Sequence, residues 1–180
     1  MPARGHGLRE YLRLLAPLLG VIAAVWVLRL VIAMAQVPHD VVRLMSVTLA
    51  GSLSVLAAAF LIHFKRFGGY ASVIGAAFLL VVYYQGLIVL AIVFATLTGT
   101  TNVFVAPEFG GRMTNTQHIL GHLTFGVAAN SILGAAMGCL ILRMLRVFVP
   151  LKGGTQGTAG PPGFAASQGT PGRSGGNPSG

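Results

Sequence analysis

The sequence predicts an all-α integral membrane protein, a bundle of four transmembrane helices with both ends on the cytoplasmic side and a disordered C-terminal tail. Three observations carry that expectation. Hydrophobic residues make up 54% of the 180 positions and charged residues only 8%, where a soluble domain carries roughly 25% charged residues. The apolar residues fall into four long runs. The basic residues sit at alternate ends of those runs, as topology in a bilayer demands.

The first run is Leu14 to Ala35, preceded by Arg4, Arg9 and Arg13. The second is Leu44 to Ile62 and ends at His63-Phe64-Lys65-Arg66. The third, Tyr70 to Leu97, exceeds the roughly 20 residues that cross a bilayer and can tilt. The fourth is Ile119 to Leu142, closed by Arg143 and Arg146. The expected spans are therefore residues 14–35, 44–62, 70–97 and 119–142, within a transmembrane domain of residues 14–148. With the N-terminus inside, Arg4, Arg9, Arg13, Lys65, Arg66, Arg143, Arg146, Lys152 and Arg173 are cytoplasmic. Arg43 and Arg112 face out, and Arg29 lies within a span.

Two segments flank this domain. Residues 1–13 form a basic juxtamembrane segment. Within Gly7 to Leu15, Leu8, Tyr11, Leu12 and Leu15 share one side, so the segment is expected to lie on the inner leaflet and meet anionic headgroups. Residues 149–180 are expected to be disordered, because from Gly153 onward no aliphatic residue exceeds alanine and Phe164 is the one aromatic. Such a segment cannot bury enough apolar surface to offset its ordering entropy. A second reading concerns the first run, where Ala33-Met34-Ala35 before Gln36 resembles a signal-peptide cleavage site. The stretch is nevertheless long enough to span, and it resumes after Arg29 instead of turning polar.

Composition excludes several classes of function. The net charge of +9 comes from residues flanking apolar runs, so no nucleic-acid partner is expected. Three acidic residues leave little material for carboxylate catalysis. The single Cys139 permits neither an intrachain disulfide nor a cysteine metal cage. Phosphate-binding loops, dinucleotide fingerprints and the serine-hydrolase elbow are absent from the sequence. No catalytic residues are assigned.

The fourth run has the most informative pattern. His118, His122, Gly126, Asn130, Gly134 and Gly138 recur every four residues and draw a stripe along one helix. Glycines in such a stripe let another backbone approach closely in lipid. The second run has a matching stripe of Ser46, Ala50, Ser54 and Ala58, which predicts close packing of the second and fourth helices. Gln85, at the middle of the third run, needs a hydrogen-bond partner, and Asn130 and Ser52 lie at similar depth. Arg29 sits roughly 10 Å inside the outer end of the first run, at 1.5 Å per residue. It completes an intramembrane polar layer of Arg29, Ser52, Gln85 and Asn130, with Asp40 and Glu108 as available counter-charges.

His118 and His122 lie one turn apart, so both rings can reach one metal ion. His39, Asp40 and Glu108 fall on the same side of the membrane and could join them. The pair lacks the intervening glutamate of a zinc-protease helix, so no catalytic base accompanies it. His63 falls on the opposite side and cannot pair with either.

The expected function is that of a non-enzymatic membrane component, either an accessory subunit of a larger membrane complex or a small transporter built on the polar layer. The alternative is a metal- or cofactor-binding redox membrane protein using His118 and His122. The expected partners are the lipid bilayer and other membrane subunits or further copies of the chain. A metal ion is the one cofactor with any support. The expected location is a bacterial cytoplasmic membrane.

Overall fold

A computed structural model describes residues 7–34, 46–99, 104–105 and 113–149. Among these residues helix is the only regular secondary structure. Its four helices are α1 (Leu8–Met34), α2 (Val47–Phe64), α3 (Tyr70–Thr98) and α4 (Asn115–Phe148), each long and apolar enough to cross a membrane. His39, Asp40, Arg43, Glu108, Arg112 and residues 150–180 lie outside the described residues, as does the bond after Ala35.

Local chemistry explains where the helices start and stop. Ser46 caps α2 by accepting from the Leu49 N–H, and so satisfies one of the amides that a helix start leaves unpaired. The α2 terminus closes in a Schellman turn. Phe67 N–H bonds the Ile62 carbonyl, Arg66 N–H bonds the His63 carbonyl, and Arg66 takes a left-handed φ of 52°. Helix α3 ends at Gly99, whose φ of 67° is left-handed and costs a glycine little. Thr114 and Gln117 form a reciprocal capping box at the start of α4.

Sequence boundaries and observed boundaries differ most at two helices. Helix α1 begins at Leu8, so the amphipathic stretch from Gly7 to Leu15 forms its first turns. Leu14 and Leu15 are buried there, while Leu8 and Leu12 are exposed. Tyr11 sets its hydroxyl 3.3 Å from where a Cβ on Gly75 would lie, and packs edge-on against Phe67. Helix α4 extends four residues earlier and six later than the apolar run, because the capping box and the basic last turn support helix where hydropathy falls.

Contacts along the chain show an up-and-down arrangement. Tyr11 near the start of α1 meets Phe67 and Gly75 near the start of α3. Val73, early in α3, faces Gly138 late in α4, whereas Thr96, late in α3, bonds Asn115 at the start of α4. Neighbouring helices therefore run antiparallel, and the connection from Phe64 to Tyr70 between α2 and α3 is short enough to require it. Of the central apolar stretches, 44% is buried in α2 and α3 but only 11% in α1 and α4. Helices α2 and α3 thus form the centre, with α1 and α4 applied to them.

The core is built on small residues. Ala58, Ala59, Ala76, Ala77 and Ala91 are fully buried beside Val55, Leu80, Ile92 and Tyr84. Dispersion between closely approached surfaces is the attraction available in lipid, since hydrocarbon solvates leucine as well as a neighbouring helix does. Gly51 makes the tightest approach. A Cβ there would overlap the Tyr84 ring, with Tyr84 Cγ at 2.7 Å.

Candidate functional site

The predicted stripe on α4 splits between two neighbours. At Gly134 a Cβ would meet Val55 Cγ1 at 3.2 Å, which is the expected contact of α4 with α2. Gly126 and Gly138 instead face α3, where a Cβ would lie 2.8 Å from Gln85 Nε2 and 2.7 Å from Val73 Cγ1. On α2, Ser54 and Ala58 are buried, Ala50 is half-buried, and Ser46 serves as the helix cap. Gly51 had no place in the expected stripe, although its spacing from Ser54, Ala58 and Ile62 would have revealed it as part of the buried face.

The polar layer is arranged differently from the expectation. Gln85 is 2% exposed, and its Oε1 lies 2.6 Å from His122 Nδ1. Asn130 turns to its own helix and donates to the Gly126 carbonyl at 2.7 Å. The reason lies in α4, which passes through one turn of π-helix at His122–Gly126. Val127 N–H reaches back five residues to the His122 carbonyl, and the Thr124 hydroxyl donates to the Leu120 carbonyl at 2.6 Å. Such a turn inserts one residue into the helical register and recurs at functional sites. Here it coincides with the point where His122 meets Gln85. Ser52 is exposed and lines, with Asn130, Tyr84 and Met137, a half-open apolar cleft of about 130 Å³.

The two histidines are brought together. His118 Nε2 and His122 Nε2 are 3.1 Å apart, and the ring centroids are 4.8 Å apart with planes tilted by 34°. Donor bookkeeping assigns the protons. An amide oxygen only accepts, so His122 carries its hydrogen on Nδ1 and donates to Gln85 Oε1. That leaves His122 Nε2 with a lone pair facing His118. Among the described residues no group of three His, Cys, Asp or Glu side chains converges, while His39 and Glu108 lie outside those residues.

Arg29 sets its guanidinium 4.8 Å from the centroid of the Phe104 ring, and Phe104 is buried. A ring face attracts a cation more strongly where water is scarce. His63 is at the other end of the bundle and donates through Nε2 to the Val149 carbonyl at 2.9 Å. There Arg146 reaches the Gly68 carbonyl at 3.4 Å and covers the Tyr70 ring. Lys65, Arg66, Arg143 and Arg146 thus gather at one end, and the histidine pair lies toward the other.

Another feature of α1 was not singled out from the sequence. Ala16, Gly20 and Ala24 recur every four residues and are exposed, and nothing lies within 4 Å of a Cβ placed on Gly20. The small-xxx-small spacing was legible; that the stripe faces away from the bundle was not.

These features define a helical protein with four helices compatible with membrane spanning. No known protein family, curated protein or solved structure matches the chain.

Proposed function

We propose that this chain is an accessory subunit of a membrane assembly, inserted with both termini in the cytoplasm and joined to its neighbours through α1. The observation that carries this reading is the exposed stripe of Ala16, Gly20 and Ala24. Gly51 on α2 and Gly126, Gly134 and Gly138 on α4 are met by side chains of neighbouring helices, whereas nothing among the described residues lies within 4 Å of a Cβ on Gly20. Lipid packs poorly into such a groove, while a second helix packs well. The orientation follows from Lys65, Arg66, Arg143 and Arg146 sharing one end. The polar layer supports transport less well, because Gln85 is engaged by His122 and the cleft beside it is apolar.

The test compares particle mass in nanodiscs formed directly from the host membrane, so that neighbouring subunits are retained, for the wild type, Gly20→Leu and Gly86→Leu. Gly86 is also exposed, with open space around it, but bulky exposed side chains such as Val82 and Leu90 surround it on α3. The expected result is an assembly larger than one chain that Gly20→Leu disperses and Gly86→Leu leaves intact. A monomeric wild type, or an assembly indifferent to Gly20→Leu, would refute the proposal.

A further inference from the structure

We infer that His118 and His122 form a binding site for a divalent transition-metal cation of the zinc and copper class, with Gln85 holding His122 in the ligating tautomer. The inference is independent of the assembly reading.

Geometry supplies the first argument. Metal–imidazole bonds of about 2.05 Å to two nitrogens 3.1 Å apart subtend roughly 98° at the metal. That angle lies between octahedral and tetrahedral values, so one cation fits both nitrogens without moving the backbone. With the metal in line with each ring, the same arrangement places the centroids roughly 4.8 Å apart, and the observed separation is 4.8 Å. A straight N–H···N hydrogen bond at this nitrogen separation would hold the centroids about 5.4 Å apart. The rings are therefore bent away from the straight hydrogen-bonded arrangement, and their separation matches that of two ligands of a shared ion.

Gln85 fixes the state of the His122 ring. Ligating histidines nearly always donate their other ring N–H to a fixed acceptor, which sets the tautomer and the ring direction. Gln85 provides that acceptor at 2.6 Å and is itself 2% exposed. Gly126 leaves room for that approach, since a Cβ there would lie 2.8 Å from the amide nitrogen. The π turn, Gly126 and Gln85 act together to direct one nitrogen lone pair at His118. Two imidazoles leave the rest of the coordination sphere to water. Imidazole donors favour zinc and copper over magnesium or calcium.

Copper(II) is the probe, because directly bound imidazole nitrogens mark its electron paramagnetic resonance spectrum. The full chain in detergent is titrated with Cu²⁺, with Zn²⁺ as competitor, beside His118→Ala/His122→Ala, Gln85→Leu and Gln85→Glu. Helicity is checked for each. The expected result is one Cu²⁺ per chain with a two-nitrogen signature, displaced by Zn²⁺ and lost in the double variant. Gln85→Leu should weaken binding roughly 10- to 100-fold, and Gln85→Glu, which still accepts from Nδ1, should retain it. A wild type that takes up no Cu²⁺, or a helical double variant that keeps the same stoichiometry and spectrum, overturns the site. Unchanged affinity in helical Gln85→Leu removes the positioning role.

Discussion

The contact between Gly51 and Tyr84 offers the sharpest test of how this bundle is held together. Adding one methyl group to Gly51 sets two effects against each other. Alanine gains about 0.5–1 kcal/mol over glycine inside a helix, because less backbone freedom is lost. Against that, the new Cβ would overlap the Tyr84 ring and sit 2.7 Å from Cγ. Because Cγ is one bond from the Tyr84 Cβ, the ring cannot step aside without changing χ1. Tyr84 is 1% exposed, so most directions are blocked, although the adjoining cleft gives the ring one partial escape. Overpacking of this kind costs roughly 1–3 kcal/mol. Gly86→Ala is the reference, since nothing lies within 4 Å of its Cβ and only the propensity gain applies. The difference between the two variants isolates the steric term and should be about 1–3 kcal/mol, with Gly51→Ala the less stable. Unfolding by dodecyl sulfate titration, followed by helicity, measures both. Replacing Tyr84 by Leu should remove most of the difference, because the two residues are in contact and their effects do not add. If Gly51→Ala proves as stable as Gly86→Ala, the close approach of α2 and α3 does not exist as described.

Further variants probe other levels of the structure. Gly134→Leu drives a side chain into Val55 and Ala77 and should abolish the folded bundle, seen as loss of a single peak in size-exclusion chromatography. Gly126→Ala should push Gln85 away from α4 and break its bond to His122; in nitrogen NMR of the histidine rings, the loss of a single fixed tautomer at His122 checks it. Thr114→Ala removes the capping box of α4 and should cost about 1 kcal/mol, with faster amide exchange confined to the first turn. Arg66→Gly relieves a left-handed backbone at the α2 terminus and should stabilise the bundle by about 1 kcal/mol in the same dodecyl sulfate titration.

Much of the architecture was legible because a run of about twenty apolar residues has few choices of structure. Every backbone amide in hydrocarbon needs an internal partner, so long apolar runs must become helices. Four runs separated by basic or polar breaks predicted four helices long enough to span a membrane, and four such helices are found among the described residues. Basic residues at alternate ends of those runs predicted that successive helices run antiparallel. Ends were less legible, since Thr114 and Gln117 carry α4 outward by hydrogen bonding that hydropathy does not register.

The candidate site was visible in part. The spacing of His118 and His122 places both rings on one side of a helix whatever the fold, and period alone also aligned the glycines of α4. Which neighbour each glycine meets depends on helix rotation and crossing, which no single run encodes. That is why Gly134 faces α2 while Gly126 and Gly138 face α3. The partner of Gln85 was decided by the π turn, because one inserted residue shifts the register and carries His122 to the amide while Asn130 bonds back to Gly126. Composition and period thus determined that these four segments are helices suited to lipid. The tertiary structure alone decided which small residues are covered, which stripe stays open on α1, and which polar side chains meet, because contacts between apolar helices are set by close shape and by hydrogen bonds between particular groups.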